Sequence, residues 1–211
     1  MSEKKPPARG RAARGWLAPA VVTGALTPIG FFMVQAGLGR LGANPIAEVL
    51  NAFGLLALTL LCASLACTPA RLFGVPWAGS LRRTLGLLGF LYAGLHLLVY
   101  VLVDQGLRLR SIVADVIKRP FITVGMLTFV LLVPLASTST RGMVKRLGGA
   151  RWRKLHKLAY VIAPLGVLHF VLRVKKDLSE PLIYGAIVTV LLLVRVLFWW
   201  RSRQDAWQKA V

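Results

Sequence analysis

Residues 82–103 read RRTLGLLGFLYAGLHLLVYVLV. Two arginines are followed by the apolar run Leu85–Val103, and inside that run sits one titratable ring, His96. At a rise of about 1.5 Å per residue such a run crosses the hydrocarbon core of a bilayer as a helix. A titratable side chain is costly there and marks a functional site. The chain has only two other histidines, and both belong to a second apolar run, Leu155–Val171, with His156 at its start and His169 near its end. Neutral imidazoles on facing helices are the usual protein ligands of a haem iron. The pattern points to a membrane cytochrome of the b type, an electron carrier rather than a soluble enzyme.

Working outward, the 211-residue chain is 56% hydrophobic and has a mean hydropathy of +0.67. Six apolar runs are each long enough to span, at about 17–37, 46–67, 84–103, 120–137, 155–173 and 181–200. The expected fold is all-α, a six-helix transmembrane bundle with haem between spans 3 and 5. Pro28, Pro134 and Pro164 fall inside spans, which a membrane tolerates, and Trp199 and Trp200 form an interfacial anchor at the end of the sixth. Residues 1–16 are basic and rich in proline and glycine, expected as a disordered cytoplasmic tail. No small-residue cleavage site follows them, so the first apolar stretch reads as a retained span. Residues 201–211 are expected as a cytoplasmic C-terminal tail.

The net charge is +20, from 27 Lys and Arg against 7 Asp and Glu. The cations lie mostly between apolar runs, as topology determinants and contacts for anionic lipids, and no basic face with interleaved aromatics suggests nucleic acid. Eighteen lie on the side of the N-tail, the loops after spans 2 and 4 and the C-tail; eight lie on the other side, and Arg195 is inside span 6. This bias places both termini in the cytoplasm. No segment outside the spans could hold a nucleotide-binding fold, so reductant must come from another molecule. Cys62 and Cys67 lack ligand spacing and read as small buried side chains, neither disulfide nor metal site.

Depth along the helices sorts the histidines. His96 lies about 20 Å along span 3 from Arg83, and His169 about 21 Å along span 5 from Leu155, so the two are level near the outer leaflet. His156 is about 20 Å from His169, too far to share an iron with it. A second haem would use His156, but the facing position on span 3 holds Arg82 and Arg83, suited to propionates or a flavin phosphate rather than to iron. Thirteen residues also turn an ideal helix by about 220°, so His156 and His169 share a face only if the span is rewound, for which Pro164 is the expected place. Gly86, Gly89, Ala93 and Gly94 would let a flat ring or another helix approach span 3. Tyr92, Tyr100 and Tyr160 flank the histidines and could bond to propionates.

Six stretches carry a family resemblance: RRTLGLLGFLYAGLHLLVY at 82–100, RPFITVG at 119–125, STSTRGM at 137–143, RWRKLHKLAY at 151–160, HF at 169–170 and PLIYG at 181–185. In this order and spacing the chain resembles the MsrQ (YedZ) proteins, haem-binding members of the ferric-reductase-like transmembrane superfamily, from about residue 39 to about 200. The resemblance implies a ferric-reductase-like transmembrane domain over 17–200 in a bacterial inner membrane. It implies one b haem, with a second left open, and FMN. It also implies electrons drawn from the quinone pool or a cytosolic flavin reductase and passed to a periplasmic, molybdopterin-containing, MsrP-like methionine sulfoxide reductase that repairs oxidised proteins. The family's three histidines fall on His96, His156 and His169; Arg82 or Arg83 stands where the wider superfamily has a fourth, and these two with the basic loop 141–157 are candidates for the FMN phosphate. Rival readings are a proton channel or transporter with a histidine relay, a membrane scaffold, and a direct quinone or metal reductase without a protein acceptor.

Overall fold

The computed structural model describes residues 15–208, and no strand occurs among them. The expected tail 1–16 lies almost wholly outside the described residues. The chain divides into two compact units, residues 1–41 and 42–211. Among its described residues the first contains one helix, α1 (Leu17–Gly37), with Pro28 inside it. It is long and apolar enough to cross a membrane.

The second unit begins at a built helix start. Asn44 caps α2 (Pro45–Leu72), its side chain accepting from the Ala47 amide at 3.2 Å, and Pro45 stands where a missing N–H is harmless. Glu48 in the first turn accepts from the Gly42 amide at 2.8 Å. Helix α3 (Ala78–Leu98) continues into a π-helical stretch, Val99–Asp104, and then the amphipathic α4 (Leu109–Lys118). Arg119 is extended, as a residue before proline must be, and Pro120 starts α5 (Pro120–Ser137). Two short helices follow, α6 (Arg141–Leu147) and α7 (Gly149–Leu155), separated by Gly148 at φ +75°. A 3-10 turn, His156–Leu158, leads into α8 (Ala159–Arg173), and α9 (Ser179–Gln208) closes the described chain.

Six stretches are long and apolar enough to span: Leu17–Gly37, Pro45–Leu72, Ala78–Asp104, Pro120–Ser137, Gly149–Arg173 and Ser179–Arg201. They match the expected spans in number and order. Two loop helices, α4 and α6, and the helical extension of the fifth span by α7 go beyond what hydropathy predicts, and α9 continues to Gln208, into the residues read as a C-terminal tail. The rewinding expected at Pro164 falls instead at His156–Leu158, where the backbone tightens into a 3-10 turn, while α8 runs uninterrupted through Pro164.

Within the second unit α2 packs most extensively on α3, and α5 on α8. Gly86 and Gly89 explain the first contact: a Cβ on Gly86 would stand 3.3 Å from Ser64 Oγ, and one on Gly89 3.0 Å from the Leu61 side chain. They serve helix approach rather than a cofactor face. Leu58, Cys62 and Leu65 of α2 meet Ala163 and Val188, and Leu132, Leu135 and Ile162 form a second cluster. Tyr92 is fully buried with its ring edge-on to Phe53.

Candidate functional site

His96, near the end of α3, and His169, near the end of α8, come together across the second unit. Their ring centroids are 6.1 Å apart and their planes are at 88°. His96 Nδ1 lies 2.8 Å from the Leu50 carbonyl oxygen of α2, and His169 Nδ1 lies 2.6 Å from the Phe121 carbonyl oxygen of α5. A carbonyl can only accept, so Nδ1 of each ring carries the proton and donates. Each Nε2 is thereby left with its lone pair, the tautomer a metal takes, already oriented by a backbone acceptor.

The two rings are seated by the same device. Leu50 is followed four residues later by Gly54, and Phe121 by Gly125. A Cβ on Gly54 would lie 3.2 Å from His96 Nδ1; one on Gly125 would lie 2.7 Å from His169 Nδ1. Four residues along a helix bring a side chain to the mouth of the earlier carbonyl. At Gly125 any Cβ would collide with the imidazole, and at Gly54 one would crowd it, so glycine gives each ring its way to the carbonyl. Each is the single glycine of its helix, a signal present in the sequence that a search for ligands alone overlooks.

Both rings line one cavity of about 770 Å³, walled mainly by apolar side chains of α2, α3, α5 and α8. Tyr100, Asn51, Arg119 and Arg173 lie at its polar end. The arrangement fits a haem. His96 and His169, with ring centroids 6.1 Å apart on one apolar cavity, are the residues that would hold the haem iron. The walls are mainly apolar, the volume is that of a ligand pocket, and the charged residues on its lining are Arg119 and Arg173 together with Asp104, Asp177 and Glu180.

His156 is not in this cavity. Its Nε2 lies 3.2 Å from Thr138 Oγ1 and its ring stacks on Trp152 at 4.0 Å, while Trp152 Nε1 donates to the Thr138 carbonyl at 3.0 Å. Arg82 is half-buried, with its carbonyl accepting from Ser64 Oγ at 2.8 Å; Arg83 is exposed. Neither lines the cavity. Of the tyrosines, Tyr100 is on the lining and donates to Asp115 at 3.2 Å, whereas Tyr160 lies under the Arg195 guanidinium. Cys62 and Cys67 are buried free thiols, and no cluster of three or more His, Cys, Asp or Glu residues occurs among the described residues.

Comparison with known proteins decides the family. The model of the ferric reductase like transmembrane component matches residues 49–167, which include His96 and His156 and end two residues before His169. A protein of Ralstonia nicotianae named protein-methionine-sulfoxide reductase heme-binding subunit MsrQ is 49% identical over 186 residues, 86% of each chain. The chain belongs to the MsrQ family. The MsrQ protein of Rhodospirillum rubrum is 51% identical over 84% of this chain and 86% of its own. That of Deinococcus radiodurans is 46% identical over 93% of this chain and 94% of its own. MsrQ proteins are multi-pass membrane proteins of the ferric-reductase type, and the six apolar helices here match that description.

Proposed function

We propose that the chain is the haem-binding membrane subunit of a methionine sulfoxide reductase system, with a b haem held between His96 and His169. The observation that carries this is the pair of imidazoles facing one cavity at 6.1 Å, each fixed through Nδ1 to a helix carbonyl. Haem bound there would supply reversible one-electron transfer. The chain's own residues set the conditions for it. Leu50 and Phe121 fix the tautomer and plane of the two rings, Gly54 and Gly125 make room for them, and the apolar walls keep water out.

The wider assignment extends from the family and the charge pattern. Both termini lie in the cytoplasm of a bacterial inner membrane, and the histidine pair lies toward the periplasm. The acceptor is a periplasmic, molybdopterin-containing methionine sulfoxide reductase, docked on loops 104–119 and 174–180. The donor is the quinone pool or a cytosolic flavin reductase, acting at the end that carries His156 and the arginine-rich helices α6 and α7. Arg82, Arg83 and the loop 141–157 supply the cations for the phosphate of an FMN on that side. His156, held by Thr138 and Trp152, is a ligand only if a second haem displaces the Thr138 contact.

The test is the absorption spectrum of the detergent-purified protein, oxidised and dithionite-reduced, with a pyridine haemochrome assay. The expected result is a split low-spin b spectrum with one haem per chain. A ratio of two would assign His156 to a second haem. His169→Ala should abolish the low-spin spectrum while the protein still inserts; an unchanged spectrum refutes the ligand pair. A colourless protein from haem-replete cells would refute the cytochrome reading and favour a histidine relay.

A further inference from the structure

Arg173 stands on the lining of the histidine cavity as a half-buried guanidinium with no carboxylate partner among the described residues. It follows His169 by four residues on α8, so both lie on one face of that helix, and both line the cavity. Its Nη1 donates to Asn51 Oδ1 of α2 at 2.5 Å, a neutral acceptor next to Leu50. The other charged groups on the same lining are differently engaged. Arg119 is paired with Asp115 at 3.1 Å, Asp104 accepts from Gln105 Nε2 at 2.9 Å, and Asp177 accepts from the Ser179 amide at 2.9 Å. Glu180 lines the mouth without an ion pair to Arg173. A guanidinium has five donors, and with one of them on Asn51 the others are available to an anion, the acceptor that matches its charge.

We propose that Arg173, steadied by Asn51, is the binding site for a haem propionate. This rests on the reading that haem occupies the His96–His169 cavity. His96 and His169 would hold the haem iron but would not by themselves set the rotation of the macrocycle between them. A contact off the axis is needed to lock it, and a bidentate guanidinium–carboxylate pair supplies both the lock and the charge match. Arg173 is thus a positioning residue. It also places a fixed positive charge beside the redox centre, which favours the electron-rich reduced form.

The experiment uses the full chain purified with its haem, as wild type, Arg173→Gln, Arg173→Lys and Asn51→Ala. Three readouts are compared: the propionate bending band in resonance Raman, the rate of haem release to apomyoglobin, and the midpoint potential. In Arg173→Gln the band should shift, haem should leave about tenfold faster, and the potential should fall. Arg173→Lys should restore most of the potential but only part of the retention, since an ammonium lacks the fork. Asn51→Ala should move all three readouts in the same direction by less, and it carries the test if Arg173→Gln does not accumulate. An Arg173→Gln protein with a b spectrum and unchanged band, release rate and potential overturns the proposal. So does one altered only in electron delivery to the acceptor, which would make Arg173 a partner contact. A wild type without haem fails the reading of the cavity instead, so the two failures are distinguishable.

Discussion

Gly54 and Gly125 determine whether the histidines can reach their carbonyls. A Cβ at Gly125 would come within 2.7 Å of a ring nitrogen, closer than real Cβ contacts, and at Gly54 within 3.2 Å. Gly125→Ala should therefore displace His169 and strip most of the low-spin haem, whereas Gly54→Ala should lower haem content only partly. Haem per chain and the sharpness of the reduced bands check this ranking, and equal effects would contradict it. A second residue-scale device lies in the other half of the bundle. Pro69 lacks the N–H that would have bonded the Leu65 carbonyl, and Arg195 Nη2 donates to that carbonyl at 2.5 Å. Arg195 also covers the Tyr160 ring at 4.8 Å, with its Nε and Nη1 buried. Arg195→Leu leaves a buried acceptor unpaired, worth about 1–3 kcal/mol. The loss should be smaller in a Pro69→Ala background, where an amide is available again. Thermal unfolding of the four proteins in detergent measures that coupling.

Among the elements, the end of α5 acts as a joint. Thr138 Oγ1 donates to the Pro134 carbonyl at 2.5 Å and lies within reach of His156, and its own carbonyl takes the Trp152 indole. The basic α7 is thereby pinned to α5 by one histidine and one tryptophan. Trp152→Leu should loosen residues 141–157, with faster tryptic cleavage there, and leave the chromophore of the distant histidine pair unchanged. Loss of the chromophore would show that the joint and the pair are coupled. At the other end, the π-helical stretch after His96 leads to a polar knot. Gln105, almost buried, donates to Asp104 and Asp115 and accepts from Ser111, while Asp115 also holds Arg119 and Tyr100. This knot fastens α4 by one face. Leu109, Val113 and Ile117, spaced by four residues, are left on the exposed face, the pattern of a helix lying at a membrane interface.

Orientation in the bilayer is a property of the whole molecule, set by the charge bias across its spans. Cys62 and Cys67 are buried, so a cysteine placed elsewhere reports alone. Arg110→Cys in α4 should react with a membrane-impermeant maleimide on intact cells, and Lys145→Cys in α6 only after lysis. The reverse pattern would invert the bundle and move the histidine pair to the cytoplasmic side. The six spans were readable from sequence to within a few residues at most ends, since hydrocarbon length and local apolar content decide them together. The largest differences are at α2, α3, span 5 and α9, where helices continue beyond the apolar run into polar residues.

The sequence by itself determined that this chain is a helical membrane protein, which residues span, and that His96 and His169 lie at one level. Each of these depends on composition and rise along a single segment. Tertiary structure alone decided how the rings are seated, that His156 turns to Thr138 and Trp152, and that Arg173 reaches Asn51. Those outcomes join groups 46, 48, 18 and 122 positions apart, and no local pattern specifies such pairs. They follow from which carbonyls, glycines and polar side chains the packed helices bring into register, where a buried donor must find an acceptor.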